Sequence, residues 1–326
     1  MEHNTFAKPL SFGEILDVTF RLIKENFTRL FLIMLIFMGP LELLQSVSKT
    51  VSGVSLLRAP NSGQGIASLL DSFKQAGMQS TMFDTIYLLL LIFISTPLAY
   101  ASLIVATDQI RKKEPVNILA SIKHAFSRYW ALFGGSIVYG LIMIALIIAI
   151  TVIIIAYLAI IGGPGAFSGL GVGNFTGLGI HLVVIIVLSI SAFCGFIYLM
   201  TRWSFFFAAI VFEKVSPGLG KSWKLTRGHF WRLVGLLIVI SIIIMIISAI
   251  FQAVVQFFLG NSVLASLLIN LISIPITLTS YIAYAVIYFD LRVRNEAMDL
   301  KVMIETYPDH TNLSSTVDAA QIKPEG

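Results

Sequence analysis

Charge is what this sequence has least of. Asp, Glu, Lys and Arg make up 12% of its 326 residues, against about 25% in a soluble domain. The deficit is concentrated. None of the four occurs between Arg128 and Arg202, or between Arg232 and Asp290. A bilayer core of roughly 30 Å takes an apolar helix of about 20 residues, so each run has the length for two crossings. Helices that are apolar all round need apolar surroundings, which excludes a water-soluble fold. The alternating segments of about ten residues that build a membrane β-barrel are also missing. Cys194 is the single cysteine, which excludes an intramolecular disulfide. With no cation beside it to lower its pKa, it reads as a small, inert core residue. The five histidines show no paired metal spacing, whereas zinc needs three or four convergent ligands. No Walker loop or G-x-S-x-G elbow occurs. No cofactor, no metal and no enzymatic activity are therefore expected.

What is present is a set of long apolar runs divided by basic, aromatic segments. They predict an all-α integral membrane protein with six spans, roughly 29–47, 85–107, 131–161, 180–202, 233–259 and 263–289. Pro40, Pro97 and Pro275 fall inside spans, which membrane helices tolerate when neighbours satisfy the freed backbone groups. The first apolar run follows a polar, helix-forming segment, the wrong layout for a cleavable signal peptide. Of the 22 Lys and Arg residues, 19 fall on the side of the termini and of the second and fourth loops; Lys49, Arg58 and Lys74 fall on the other. Positive charge stays in the cytoplasm. The expectation is a plasma-membrane protein with both termini cytoplasmic, whose basic balance reports topology and calls for no nucleic-acid partner. On the far side, Ile66, Leu69, Leu70 and Phe73 form a stripe that predicts a short surface helix. The glycine-rich stretch 162–179 reads as a loop, because a nucleotide site would need a βαβ setting.

One phrase recurs. "KSWKLTRGHFWRLVG" (Lys221–Gly235) aligns without gaps, 101 residues back, with "ASIKHAFSRYWALFGG" (Ala120–Gly135). It aligns 203 residues back with "TFRLIKENFTRLF" (Thr19–Phe31). The period predicts three helical hairpins, each preceded by a cytoplasmic amphipathic interfacial helix, in units of about 11–110, 111–212 and 213–295. Repeats that all enter from one face relate by an axis along the membrane normal, here a pseudo-threefold. Residues 296–326 read as a polar cytoplasmic tail, disordered after about 308. In the first unit Ser11 and Glu14 form an S-x-x-E capping box, with Leu10 and Ile15 placed as a hydrophobic staple. Phe12, Ile15, Leu16, Thr19, Ile23 and Phe27 form its expected apolar face. The second unit's face is Ile118, Leu119, Ile122, Phe126 and Tyr129. In the third, Ser216 is the expected cap and Pro217 the first helical residue. Leu219, Trp223 and Thr226 face one way there and Lys221, Lys224 and Arg227 another, and Gly228 is expected to break the helix.

Such helices lie at headgroup depth, where Trp and Tyr concentrate and each Lys or Arg gains about 1 kcal/mol beside anionic lipid. The candidate lipid- or partner-binding residues are accordingly Arg21, Lys24, Arg29, Lys123, Arg128, Trp130, Arg202, Trp203, Lys221, Trp223, Lys224, Arg227, Trp231 and Arg232. Arg202 is expected to snorkel to the surface, since an unbroken helix through Phe212 would measure about 50 Å. Glu42 is expected at the interface, and Asn270, Gln252 and Gln256 in helix packing.

Three blocks, "KPLSFGEILDVTFRLIKENF" (Lys8–Phe27), "EKVSPGLGKSWKLTRGHFWRL" (Glu213–Leu233) and "YFDLRVRNEAMDL" (Tyr288–Leu300), resemble the membrane domain associated with glycerophosphodiester phosphodiesterases and its wider set of polytopic bacterial membrane proteins. Ala297 departs from the glycine of that pattern. Some members carry a catalytic barrel, whose first motif would read His-Arg-Gly. Arg227-Gly228-His229 has the wrong order, and about 30 residues after Arg294 cannot hold a barrel of about 250. The resemblance implies a six-span bacterial membrane module and carries over no catalytic residue. Two functions are expected to compete. One is a non-enzymatic module that scaffolds a membrane-protein partner or organises anionic lipid at the cytoplasmic leaflet. The other is a permease or exporter subunit with a path along the pseudo-axis.

Overall fold

The structure, a computed structural model, describes residues 9–51, 54–57, 82–162, 175–213, 216–260 and 262–306. All regular structure among them is helical: α1 (Phe12–Val51), α2 (Met82–Leu90), a π turn (Leu91–Ser95), α3 (Thr96–Arg111), α4 (Ile118–Ser127) and α5 (Tyr129–Gly162), then α6 (Phe175–Trp203), α7 (Phe206–Glu213), α8 (Leu219–Leu225), α9 (Phe230–Leu259) and α10 (Val263–Thr306). Six segments are long and apolar enough to cross a membrane: α1, α2 with α3, α5, α6 with α7, α9 and α10. The chain is an all-α, multi-pass membrane protein. The expected surface helix at 66–73 lies outside the described residues, as do most of the glycine-rich stretch and the tail beyond Thr306. The part of that stretch from Phe175 onward is already helix, and α10 runs on into the expected tail.

The start of α1 follows the sequence closely. Ser11 N–H donates to Glu14 Oε2 at 2.6 Å and Glu14 N–H to Ser11 Oγ at 3.3 Å, the reciprocal capping box. Leu10 and Ile15 are both buried beneath it. The expected face is turned, however. Ile15, Val18, Thr19 and Leu22 are buried, while Phe12 and Phe27 are exposed. The buried side belongs to a helix that packs along α10, to which the Leu10 N–H at its start is tied through Asp290. The same correction applies to α4, where Leu119 and Phe126 point outward and Ser121 and Ala125 are fully buried. Small side chains let helices approach closely in a bilayer, and the large apolar ones are left for lipid. At α8 the left-handed Gly218 (φ +75°) is the N-cap, and Ser216 and the cis-linked Pro217 precede it. A Cβ at residue 218 would stand 2.7 Å from the Phe206 carbonyl oxygen, so glycine is required there by contact as well as by φ.

Each lead-in helix ends at a matched break. Asn26 (φ −122°, ψ 23°), Arg128 (φ −110°, ψ 8°) and His229 (φ −119°, ψ 18°) leave the helical region almost identically. The first and third are 203 residues apart, the second and third 101. Seven residues before each break stand Thr19, Ser121 and Ser222, and four after it stand Leu30, Leu132 and Leu233. All six are at most 1% exposed.

The core gathers at one end of the bundle. α1 packs along α10, α3 against both, and α7 against α3. Aromatic rings fill the junction: Tyr100 stacks on Tyr281 at 3.9 Å and on Phe207 at 5.3 Å, and Phe205 stacks on Tyr284 at 5.0 Å. By contrast none of the apolar window of α6 is buried, against 44% of that of α2 with α3. The side chains at 144–157 of α5, 183–200 of α6 and 241–259 of α9 are all exposed or half-buried. Cys194 is among the exposed residues of α6, which corrects its reading as a core residue. Lipid contact, rather than burial, keeps it in apolar surroundings.

Local irregularities have local causes. Pro97 lacks an N–H, and the π turn before it lets Thr96 N–H reach the Leu91 carbonyl instead. The free N–H groups at the start of α10 are met by Ser55 and Leu56 carbonyls at 3.0 and 3.2 Å. Asn270 donates to Gln45 Oε1 across α10 and α1 at 2.8 Å, as expected of a packing amide. Gln252 is exposed.

Candidate functional site

The basic segments share one end of the bundle, and two constellations are built there. The first is a knot around Asp290, whose side chain is fully buried. Its Oδ1 accepts the Leu10 N–H at 2.8 Å. Its Oδ2 accepts Arg232 Nη1 at 2.7 Å and Arg294 Nε at 3.0 Å. Both guanidinium groups then reach the Leu10 carbonyl through Nη2 at 2.6 Å. One carboxylate and the backbone N–H and C=O of one residue thus fasten the N-terminal segment to α9 and α10. Asn295 extends the knot by donating to the Leu225 carbonyl of α8 at 3.0 Å. A buried carboxylate needs this saturation, because an unpaired one would cost several kcal/mol. Sequence reasoning missed Asp290. It sits at the end of a span between basic residues, so it reads as part of the topology signal, and Leu10 is 280 positions away.

The second constellation is a notch around Arg202. This residue is 9% exposed, which corrects the expectation that it snorkels outward. The helix breaks after Trp203, and α8 folds back across the break. Ser222 Oγ donates to the Arg202 carbonyl at 2.8 Å and accepts the Phe205 N–H at 3.1 Å. That places Trp223 over the guanidinium at 4.9 Å and the Tyr198 ring 5.2 Å from it, the two rings standing edge to face 5.9 Å apart. Trp203 and Phe230 extend the aromatic wall, 6.1 Å from Trp223 and 5.0 Å from Tyr198. Arg202 Nε and Nη2 donate to Tyr198 Oη at 3.2 and 3.1 Å, and Nη1 to Thr226 Oγ1 at 3.5 Å. A guanidinium has five N–H donors, so these neutral oxygens leave donors over. Among the described residues no carboxylate lies within ion-pair distance of Arg202.

The other candidates divide by position. Lys221 and Lys224 on α8 and Arg227 in the turn after it are exposed beside the notch, and Lys221 bonds Glu213 at 2.8 Å. Trp130 and Trp231 occupy matched positions after their breaks and are 79% and 82% exposed. Arg21, Lys24, Arg29 and Lys123 are exposed on α1 and α4, and Arg128 is half-buried at its break. Arg232 belongs to the Asp290 knot. The structure therefore unites Arg202, Trp203 and Trp223 and leaves the rest spread over the same face.

Chemically, the notch offers a fixed cation, flat rings and hydroxyls. Among the described residues no group of three or more His, Cys, Asp or Glu side chains is placed to hold a metal ion. This is a polytopic helical membrane protein with a built basic face. No family model, curated protein or solved structure matches the chain.

Proposed function

We propose that the chain is a non-enzymatic membrane module that gathers anionic lipid headgroups on the cytoplasmic side of a bacterial plasma membrane. The observation that carries this is Arg202, a buried guanidinium beside two aromatic rings with no carboxylate partner among the described residues. Burying an uncompensated charge is costly. Stacking offsets part of that, with cation–π contacts worth about 2 kcal/mol when desolvated. A headgroup phosphate supplies the missing charge and accepts the remaining donors. Lys224 and Arg227 stand beside it as weaker, mobile attractors. The positive-inside imbalance of the sequence supports cytoplasmic termini for this face.

The matched breaks and burial positions support a pseudo-threefold arrangement of three hairpins, with three basic-aromatic collars at one depth. The resemblance to the membrane domain associated with glycerophosphodiester phosphodiesterases rests on the three sequence blocks alone. The three blocks that carry that resemblance meet physically, since Leu10, Arg232, Asp290 and Arg294 form one knot. The competing reading, a permease or exporter subunit, needs an open path between the helices. The stacked Tyr100, Phe207, Tyr281 and Tyr284 rings at the helix junction speak against one.

Native mass spectrometry of protein purified in mixed phosphatidylglycerol and phosphatidylcholine tests the proposal. The wild type is expected to retain phosphatidylglycerol preferentially. Arg202→Gln loses at least one bound anionic lipid while keeping its elution volume. Equal retention by wild type and Arg202→Gln overturns it.

A further inference from the structure

Away from the basic face, a cavity of about 210 Å³ opens between α1, α2, α3 and α10. That is the share of roughly seven waters. Glu42 brings a carboxylate to its wall. Its nearest partner is the Tyr87 hydroxyl, at a loose 3.4 Å, and no ion pair to Glu42 occurs among the described residues. The cation nearest in sequence, Lys49, lies two turns further along α1 and is held by Ser266 Oγ at 2.8 Å. Thr96 and Thr277 add hydroxyls, Met34 and Met38 add apolar wall, and Tyr281 closes the end nearer the basic face.

A proline stands in each of three helices around this cavity, and α1 and α10 continue through theirs. Pro40 stands two residues from Glu42, Pro97 follows Thr96, and Pro275 lies two residues before Thr277. The π turn ends at Ser95, whose hydroxyl bonds the Phe37 carbonyl at 2.7 Å. Each proline removes a helical hydrogen bond, and π turns concentrate at functional sites. A helix carbonyl close to a proline can be met by a neighbouring side chain, as the Phe37 carbonyl is by Ser95. Three proline-bearing helices and one carboxylate with no ion pair among the described residues meet at one cavity, which is more than packing requires.

The lining selects the ligand class. A bare divalent cation asks for six or more oxygen ligands, and here one carboxylate shares the wall with thioethers and rings. An organic ammonium fits better. Its N–H groups find Glu42 and the hydroxyls, the Tyr87 and Tyr281 rings attract its charge, and its carbon body fits the methionine wall. We infer that this cavity is a binding site for a small organic ammonium group, with Glu42 as its counter-ion. The site is separate from the headgroup notch and does not depend on it.

The test uses the full chain in phosphatidylcholine nanodiscs and n-butylammonium as probe, read by isothermal titration calorimetry. Saturable binding is expected in the wild type, at least tenfold weaker in Glu42→Gln and in the cavity-narrowing Thr277→Leu, and unchanged in Arg202→Gln. Butan-1-ol, which lacks the charge, is expected not to compete. Adding phosphatidylethanolamine separates the sources. Weakened probe binding assigns the site to a lipid ammonium, and unchanged binding assigns it to a free amine. Absence of saturable binding in the wild type, or equal binding in the wild type and both cavity variants, overturns the inference. Thr277→Leu keeps the test decisive if Glu42→Gln fails to fold.

Discussion

Asp290 shows what a single residue contributes. Its carboxylate receives a backbone N–H and two guanidinium groups in a site with no exposed side-chain surface. Removing one member of such a cluster leaves buried charge without compensation, which costs about 3–5 kcal/mol. Asp290→Asn should therefore lower the thermal midpoint sharply in detergent. Arg294→Lys should cost less, about 1–3 kcal/mol, because an ammonium cannot reach the carboxylate and the Leu10 carbonyl with the same planar fork. Tryptophan-fluorescence melts of both variants check the order. Equal midpoints would mean that the knot does not hold the N-terminal segment. None of this is legible in the sequence. The three blocks stand out there, but contact between Leu10 and Asp290 is a property of how α1 and α10 close on each other.

At the scale of elements, the start of α1 and the break after α8 were legible because local chemistry sets them, a capping box and a glycine, whereas the breaks at Asn26 and Arg128 carry no such signal. Which side of each helix is buried was not legible either, because in lipid the large apolar residues need no burial. Ser121 and Ala125 are buried while Leu119 and Trp130 face outward, the reverse of the rule for water. Two glycines test the breaks. A methyl group at Gly228 (φ +84°) would meet nothing within 4 Å, so Gly228→Ala should cost only the left-handed penalty of about 1–2 kcal/mol. Gly218→Ala adds a clash with the Phe206 backbone oxygen and Ile210, which brings about 1–3 kcal/mol more. Comparing the two midpoints checks this, and similar losses would contradict the tight seating of α8 against α7.

For the whole molecule, the six spans were readable from length and hydropathy alone, since no soluble fold accommodates such runs. The uneven packing was not. α5 and α6 are both strongly apolar in sequence, yet their outer parts have little protein around them. Ile148 is 56% exposed, while Leu132 on the same helix is fully buried. Leu132→Ala should cost about 2–5 kcal/mol, and Ile148→Ala within about 0.5 kcal/mol, as denaturation in mixed micelles will show. A large loss at Ile148 would reveal a protein neighbour where lipid is expected.

The proposed role depends most on the basic face meeting the inner leaflet. The direct measurement labels Lys224→Cys, in a Cys194→Ser background, with a membrane-impermeant thiol reagent on intact cells and on opened membranes. No labelling is expected until the cells are opened. Labelling of residue 224 from outside intact cells would contradict the cytoplasmic placement and the headgroup role built on it.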